Sequence, residues 1–158
     1  MQLPNIVLIA NLLSTFYMVG LIWMVQIVHY PLFAKVAKDE FVSYQLSHQT
    51  LITPVVGLPM LIELLGAILL IWFRPRAIPD GLVYVALALV ILMWASTAFI
   101  QIPCHETLTQ GFDATVHSRL VNSNWIRTLG WTVRGGLVTW MLILVLNWTQ
   151  LAHSGKAL

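Results

Sequence analysis

Four apolar runs, each long enough to cross a lipid bilayer, constrain this chain more than any other feature of its sequence. A helix that spans the hydrocarbon core needs about 20 residues at about 1.5 Å of rise each. The runs cover roughly residues 3–29, 51–73, 82–102 and 125–146. Charged residues make up only 9% of the chain, against roughly 25% in soluble domains. We therefore predict one all-α domain, an integral membrane protein whose four spans form an antiparallel bundle over residues 1–158.

The three connections between the runs differ in length and composition. Residues 74–80 read RPRAIPD, and two prolines in so short a stretch predict a tight hairpin. Residues 31–50 and 103–124 mix charged with apolar side chains, a pattern typical of short interfacial helices. Asp113 is a candidate N-cap within the second of these connections.

Charge and cysteine content exclude several classes of protein. Eight Lys and Arg against six Asp and Glu give a net charge of +2. The basic residues are scattered singly, so we expect no nucleic acid partner. The single cysteine, Cys104, has no second cysteine for a disulfide or a CxxC metal site. The lipid bilayer is thus the one partner that composition predicts.

Histidines gather at one end of the predicted bundle. Because consecutive spans run in opposite directions, four of the five histidines fall on the same membrane face. Imidazole is a good ligand for iron, copper and zinc, although each ring could instead bond separately to backbone, lipid headgroup or water. We predict a copper or iron ion held by the three that flank spans, with haem b on two of them as the alternative. These three are His29, His48 and His105, and the fourth is His117.

Two glutamines lie one helical turn from histidines. Gln26 stands three residues before His29, and Gln101 stands four before His105 on a stripe that also includes Trp94 and Thr97. We predict that both amides assist cofactor binding by orienting the imidazoles through hydrogen bonds.

A second group of polar residues lies deeper in the membrane. Glu63 is about 12 residues, or about 18 Å, into the second span, and Arg134 is about 10 residues, or about 15 Å, into the fourth. A charge in mid-bilayer is costly, so both should face the bundle interior and pair with each other. The pair could fix helix register, or Glu63 could move protons while Arg127 and Arg134 bind the polar end of a substrate.

Three strings in the chain carry a resemblance to known sequences. HYPLF (29–33), IPCHETLTQGFD (102–113) and NWIRTLGWTVR (124–134) resemble an uncharacterised bacterial family of four-span membrane proteins. The chain is also distantly similar to the anthrone-oxygenase-like superfamily, in which a P-x-N-x-x-L element follows the third span. Pro103, His105 and Leu108 occupy that element here, with His in place of Asn. The resemblance implies a bacterial inner-membrane location and oxygenase-type chemistry.

These observations favour one function and leave two alternatives. The leading hypothesis is a metal-dependent membrane redox enzyme, an oxidase or oxygenase, acting on a lipophilic aromatic or quinone-like molecule. The first alternative is a non-enzymatic accessory subunit of a larger respiratory or photosynthetic complex. The partners of the chain would then be the subunits of that complex, or further copies of the same chain in a homo-oligomer. The second is a membrane protein that binds haem b.

Overall fold

Four long helices account for most of the chain. The computed structural model describes residues 2–153, with side chains described for residues 2–150. The helices are α1 (Leu3–Phe33), α2 (Phe41–Leu69), α3 (Asp80–Leu108) and α4 (Ala114–His153). All four are long and apolar enough to cross a membrane, and no strand occurs among the described residues. The predicted all-α four-helix bundle is confirmed, with α1 and α3 each packed against α2 and α4.

At the histidine end the helices extend beyond the predicted spans. The segment after the hydrophobic part of α1 stays helical to Phe33, and α2 already begins at Phe41. The expected interfacial segments are therefore helical, but as extensions of the spans and not as separate surface helices. The reason is packing, since Phe33 and Phe41 are fully buried in the bundle core. Asp113 caps α4 as predicted, accepting hydrogen bonds from the N–H groups of Thr115 and Val116 at 2.8 and 2.9 Å.

Both α1 and α3 contain one π-helical turn. The turns comprise Val25–His29 and Thr97–Gln101, and each ends in a backbone bond that spans five residues. The Tyr30 N–H donates to the Val25 carbonyl, and the Ile102 N–H donates to the Thr97 carbonyl. A proline follows each turn after one residue, and its ring disfavours the narrower α-helical turn before it. Consequently, the side chains beyond each π-helical turn are rotated around the helix axis relative to their positions in a regular α-helix.

One guanidinium group joins all four helices at the centre of the bundle. Arg134 of α4 donates to the Glu63 carboxylate of α2 at 2.6 Å and to Asn11 of α1 at 2.8 Å. Its Nε donates to the carbonyl oxygen of Ala86 in α3 at 3.2 Å. The predicted pairing of Glu63 with Arg134 is confirmed, and both side chains are almost completely buried.

Hydrogen bonds from α1 and α4 complete the coordination of the Glu63 carboxylate. Oε1 accepts from the Thr15 hydroxyl and Oε2 accepts from the Trp131 indole N–H, each at 2.8 Å. Asn11 also donates to the Glu63 backbone carbonyl at 2.8 Å, across a close approach of α1 and α2 at Gly66. A Cβ atom at Gly66 would lie 2.7 Å from the Asn11 amide nitrogen, so the network requires glycine there. Every charge in this network thus has a partner.

The topology can be tested by cysteine labelling. We expect Lys38→Cys and Arg76→Cys, each in a Cys104→Ser background, to react with a membrane-impermeant maleimide from opposite sides. Both positions are exposed and lie in loops at opposite ends of the bundle. Labelling of both from the same side would contradict the antiparallel arrangement.

The central ion pair can be tested by a double-mutant cycle. We expect Arg134→Met to lower the free energy of unfolding by about 3 to 5 kcal/mol, because it leaves the Glu63 carboxylate buried without its counter-charge. The double variant Glu63→Leu/Arg134→Met should regain much of that loss. Unfolding in mixed micelles would measure both, with exposed Arg76→Met as the control. Additive losses would show that the two side chains are not coupled.

Candidate functional site

Four histidine rings surround the phenyl ring of Phe33 at one end of the bundle. Phe33 is fully buried, and most of the rings meet it edge to face, so it sets the spacing among them. The distances from its ring centroid are 5.2 Å to His29, 5.0 Å to His48, 6.2 Å to His105 and 6.3 Å to His117. The predicted gathering of four histidines at one end is confirmed.

The three histidines predicted as metal ligands lie next to one another. His29 Nε2 is 3.0 Å from His48 Nδ1, a hydrogen bond between α1 and α2. The ring centroids of His48 and His105 are 5.1 Å apart. The helices therefore bring imidazoles from α1, α2 and α3 to one place.

Two residues that the sequence analysis did not single out hold the His105 ring. Gln45 Nε2 lies 2.9 Å from His105 Nδ1 and 3.3 Å from the His105 carbonyl oxygen. Because that carbonyl can only accept, the amide nitrogen is the donor and Nδ1 accepts. The ring proton is then on Nε2, which donates to the Tyr30 hydroxyl oxygen at 3.0 Å. The Tyr30 proton is left free to bond to another group.

This pattern of hydrogen bonds bears on the predicted metal site. Both nitrogens of His105 are engaged, and His29 and His48 are bonded to each other. Within residues 2–150, no three His, Cys, Asp or Glu side chains are arranged around a common point as metal ligands. The Nε2 of His48 is the one buried nitrogen of these three rings without a hydrogen-bond partner, and His29 Nδ1 makes no hydrogen bond among the described residues either. A metal ion at this cluster would have to replace the existing hydrogen bonds, so metal binding stays a prediction.

Neither predicted glutamine forms a hydrogen bond to an imidazole of the described residues, so the expected orientation of the rings by these amides is absent, and cofactor binding by Gln26 and Gln101 stays a prediction. Gln26 donates to the Val121 carbonyl at 3.2 Å and accepts from Asn124 at 2.9 Å, which ties α1 to α4. Gln101 accepts from Ser96 at 3.0 Å and donates to Ser123 at 3.1 Å. Gln26 and His29 lie within one π-helical turn, where the spacing departs from that of an α-helix. Gln101 and His105 both line the cavity, but no hydrogen bond joins them.

An apolar cavity of about 450 Å³ lies beside the histidine cluster. Pockets for small organic ligands commonly measure about 300 to 1,000 Å³. Its walls are mainly aliphatic and thioether side chains of α1 and α2, and its polar groups include Tyr30, His48 and Arg127. The predicted stripe on α3 is confirmed as part of the lining, which includes Trp94, Thr97, Gln101 and His105.

Arg127 is the only one of the three predicted catalytic residues that lines the cavity. Its side chain is buried, its guanidinium lies 5.3 Å from the centroid of the Trp131 ring, and its Nε has no hydrogen-bond partner. Glu63 and Arg134 lie outside the lining and are already bound to each other. Arg134 does not line the cavity, and its guanidinium group is already bonded within the protein. Its position therefore does not support the expectation that it binds a substrate in the cavity.

Tyr30 and Gln45 are the residues of the site whose contacts the sequence analysis missed. Gln45 stands three residues before His48, a spacing that would have placed both on one face had α2 been predicted to begin at Phe41. Trp131 links the cavity to the central ion pair, since its ring faces Arg127 and its N–H bonds to Glu63.

Comparisons with known proteins identify no relative of this chain. No protein-family model matches the sequence, and neither a curated protein nor a solved structure is significantly similar to it. The chemistry of the site is therefore inferred from its own residues, which combine an apolar cavity, imidazole and phenol groups and one buried cation.

The role of Phe33 as the centre of the cluster can be tested by truncation. We expect Phe33→Ala to lower the free energy of unfolding by about 3 to 5 kcal/mol, because it leaves a void among four histidine rings. Phe99→Ala is the matched control, since the Phe99 side chain is 78% exposed on the outer surface of α3. Thermal unfolding in detergent would compare them, and equal losses would contradict the assignment.

Proposed function

We propose that this protein is an oxidoreductase of a bacterial inner membrane, acting on a lipophilic aromatic or quinone-like molecule in the cavity. The observation that carries the proposal is the placement of an apolar cavity within the bundle against a cluster of proton-carrying side chains. Lipophilic substrates partition into the bilayer, so a cavity at membrane depth suits them. His48 lines this cavity, and its buried Nε2 has no hydrogen-bond partner.

The residues of the cluster suit the oxidation of a phenol or quinol. Oxidation of a quinol to a quinone breaks two O–H bonds and releases two electrons and two protons. With dioxygen as the oxidant, both electrons and both protons end in hydrogen peroxide, and the protons leave the substrate one after the other. His48 accepts a substrate proton at Nε2 and passes its Nδ1 proton to His29, 3.0 Å away and only half-buried. Tyr30 and Arg127 stabilise the negative charge that develops on the substrate oxygen.

A copper or iron centre at His29, His48 and His105 is the second candidate for this site. It is favoured by the convergence of imidazoles from three helices. Such an ion, when bound, would supply one-electron redox chemistry. Elemental analysis of the purified protein tests it directly, with about one ion per chain expected and its loss expected in His105→Ala. A visible spectrum with a Soret band would indicate haem b instead.

The proposed chemistry can be tested with a short-tailed benzoquinol and dioxygen. With the protein in nanodiscs, we expect quinol oxidation above the uncatalysed rate, coupled to oxygen consumption. His48→Ala should lower the rate by about 100-fold or more, because it removes the proton acceptor. Ser47→Ala, at the neighbouring exposed position, is the control.

Two results would count against an enzymatic function. If the quinol neither binds nor is oxidised, the proposal fails for this substrate class. If the protein also purifies from native membranes in a stable complex with larger subunits, the non-enzymatic alternative of an accessory subunit gains support.

A further inference from the structure

We infer that the cavity binds its ligand as an anion, a lipophilic carboxylate or phenolate whose charged oxygen pairs with Arg127. The inference rests on the proposed function for the cavity and narrows its ligand to one charge class. Arg127 is 4% exposed, lines the cavity and carries a fixed positive charge.

Arg127 has no counter-charge within the described part of the chain. No carboxylate of residues 2–150 lies within 4.0 Å of its guanidinium group, and Nε has no hydrogen-bond partner. Arg134, on the same helix and equally buried, has the Glu63 carboxylate at 2.6 Å. A buried charge without an opposite charge is costly, and the face of the Trp131 ring and the neighbouring Tyr30 hydroxyl only partly offset that cost.

Each of the six acidic residues of the chain has another position or partner. Glu63 pairs with Arg134, Asp80 pairs with Arg74, and Asp113 caps α4. The other three have exposed side chains and no ion pair among the described residues, and they are Asp39, Glu40 and Glu106. Glu106 also contributes to the cavity wall, but its carboxylate makes no ion pair with Arg127. Within residues 2–150, no carboxylate therefore forms an ion pair with Arg127, and an anionic ligand in the cavity would supply one.

The open polar groups around Arg127 also suit an oxygen anion. The Tyr30 proton is free once the hydroxyl oxygen has accepted from His105, and Trp94 Nε1 has no partner. Both residues line the same cavity as Arg127, so three residues that carry donor groups contribute to its wall. The remaining wall includes Met18, Ile22 and Met60, which suit an apolar tail. Donors at one end and apolar walls beyond them fit an amphiphilic anion.

Two probes of equal shape and different charge test this inference. We would measure the affinities of 4-octylbenzoate and 4-octylbenzamide for the protein in nanodiscs of zwitterionic lipid, corrected for partition into the lipid. The benzoate should bind at least tenfold more tightly than the benzamide. Arg127→Gln should reduce that preference to about threefold or less. Arg119→Gln should leave the preference unchanged, because Arg119 is exposed on the same helix.

A stability measurement on the ligand-free protein shows whether Arg127→Gln still folds. Because the variant removes an uncompensated buried charge, its thermal midpoint should equal or exceed that of the unchanged protein. Arg134→Gln should lower the midpoint, since it breaks an existing ion pair. A comparable fall for Arg127→Gln would show that Arg127 is part of the folded core and would overturn the inference.

The binding outcomes separate this inference from the proposed function. Equal affinity for the two probes overturns the anionic class and leaves the cavity as a site for lipophilic molecules. Tighter binding of the neutral benzamide overturns it as well. If neither probe binds, both the inference and the proposed cavity function fail.

Discussion

The arrangement of the bundle depends on the hydrogen bonds of a single guanidinium group. Lipid tails are as apolar as leucine side chains, so burial of apolar surface gives transmembrane helices little reason to choose one register over another. Arg134 fixes the register, because it bonds to Asn11 of α1, Glu63 of α2 and the Ala86 carbonyl of α3. A shift of any one helix by a single turn would leave a charge or a polar group unpaired in a medium without water. Specificity of packing is thus concentrated in a few polar contacts at mid-membrane.

The two buried arginines of α4 have different surroundings, and we propose that one serves stability and the other binding. Arg134 is neutralised within the protein, whereas Arg127 faces the cavity without a counter-ion among the described residues. Trp131 lies between them, with its ring beside Arg127 and its N–H on the Glu63 carboxylate. Trp131 therefore connects the cavity wall at Arg127 to the hydrogen-bond network around Glu63 and Arg134. Under the proposal, binding of an anion would offset the cost of burying the Arg127 charge.

Sequence reasoning succeeded where it needed only helix length and depth, and it failed where local helix geometry is irregular. The pairing of Glu63 with Arg134 followed from counting residues along two spans. Gln26 was expected to hydrogen-bond to His29, but it bonds to α4 instead. Both residues lie within a π-helical turn, which regular α-helical periodicity does not describe. Tyr30 and Gln45 were missed because their contacts with His105 depend on how three helices meet at one end, which periodicity within one helix does not describe. The identity of the ligand depends on the cavity's shape, for which a single sequence carries no direct signal.

The two π-helical turns have a consequence for how this chain aligns with other bundles. Each turn is a one-residue insertion that the helix absorbs without a break, at Val25–His29 in α1 and Thr97–Gln101 in α3. A structural alignment with a bundle of regular helices would need a one-residue gap inside each of these two spans. The gaps would fall beside the cavity wall. Without them, residues beyond each turn would be aligned with positions about 100° away around the helix axis. An ungapped alignment of the helices would pair the apolar segments correctly but would pair the residues of the site with the wrong positions.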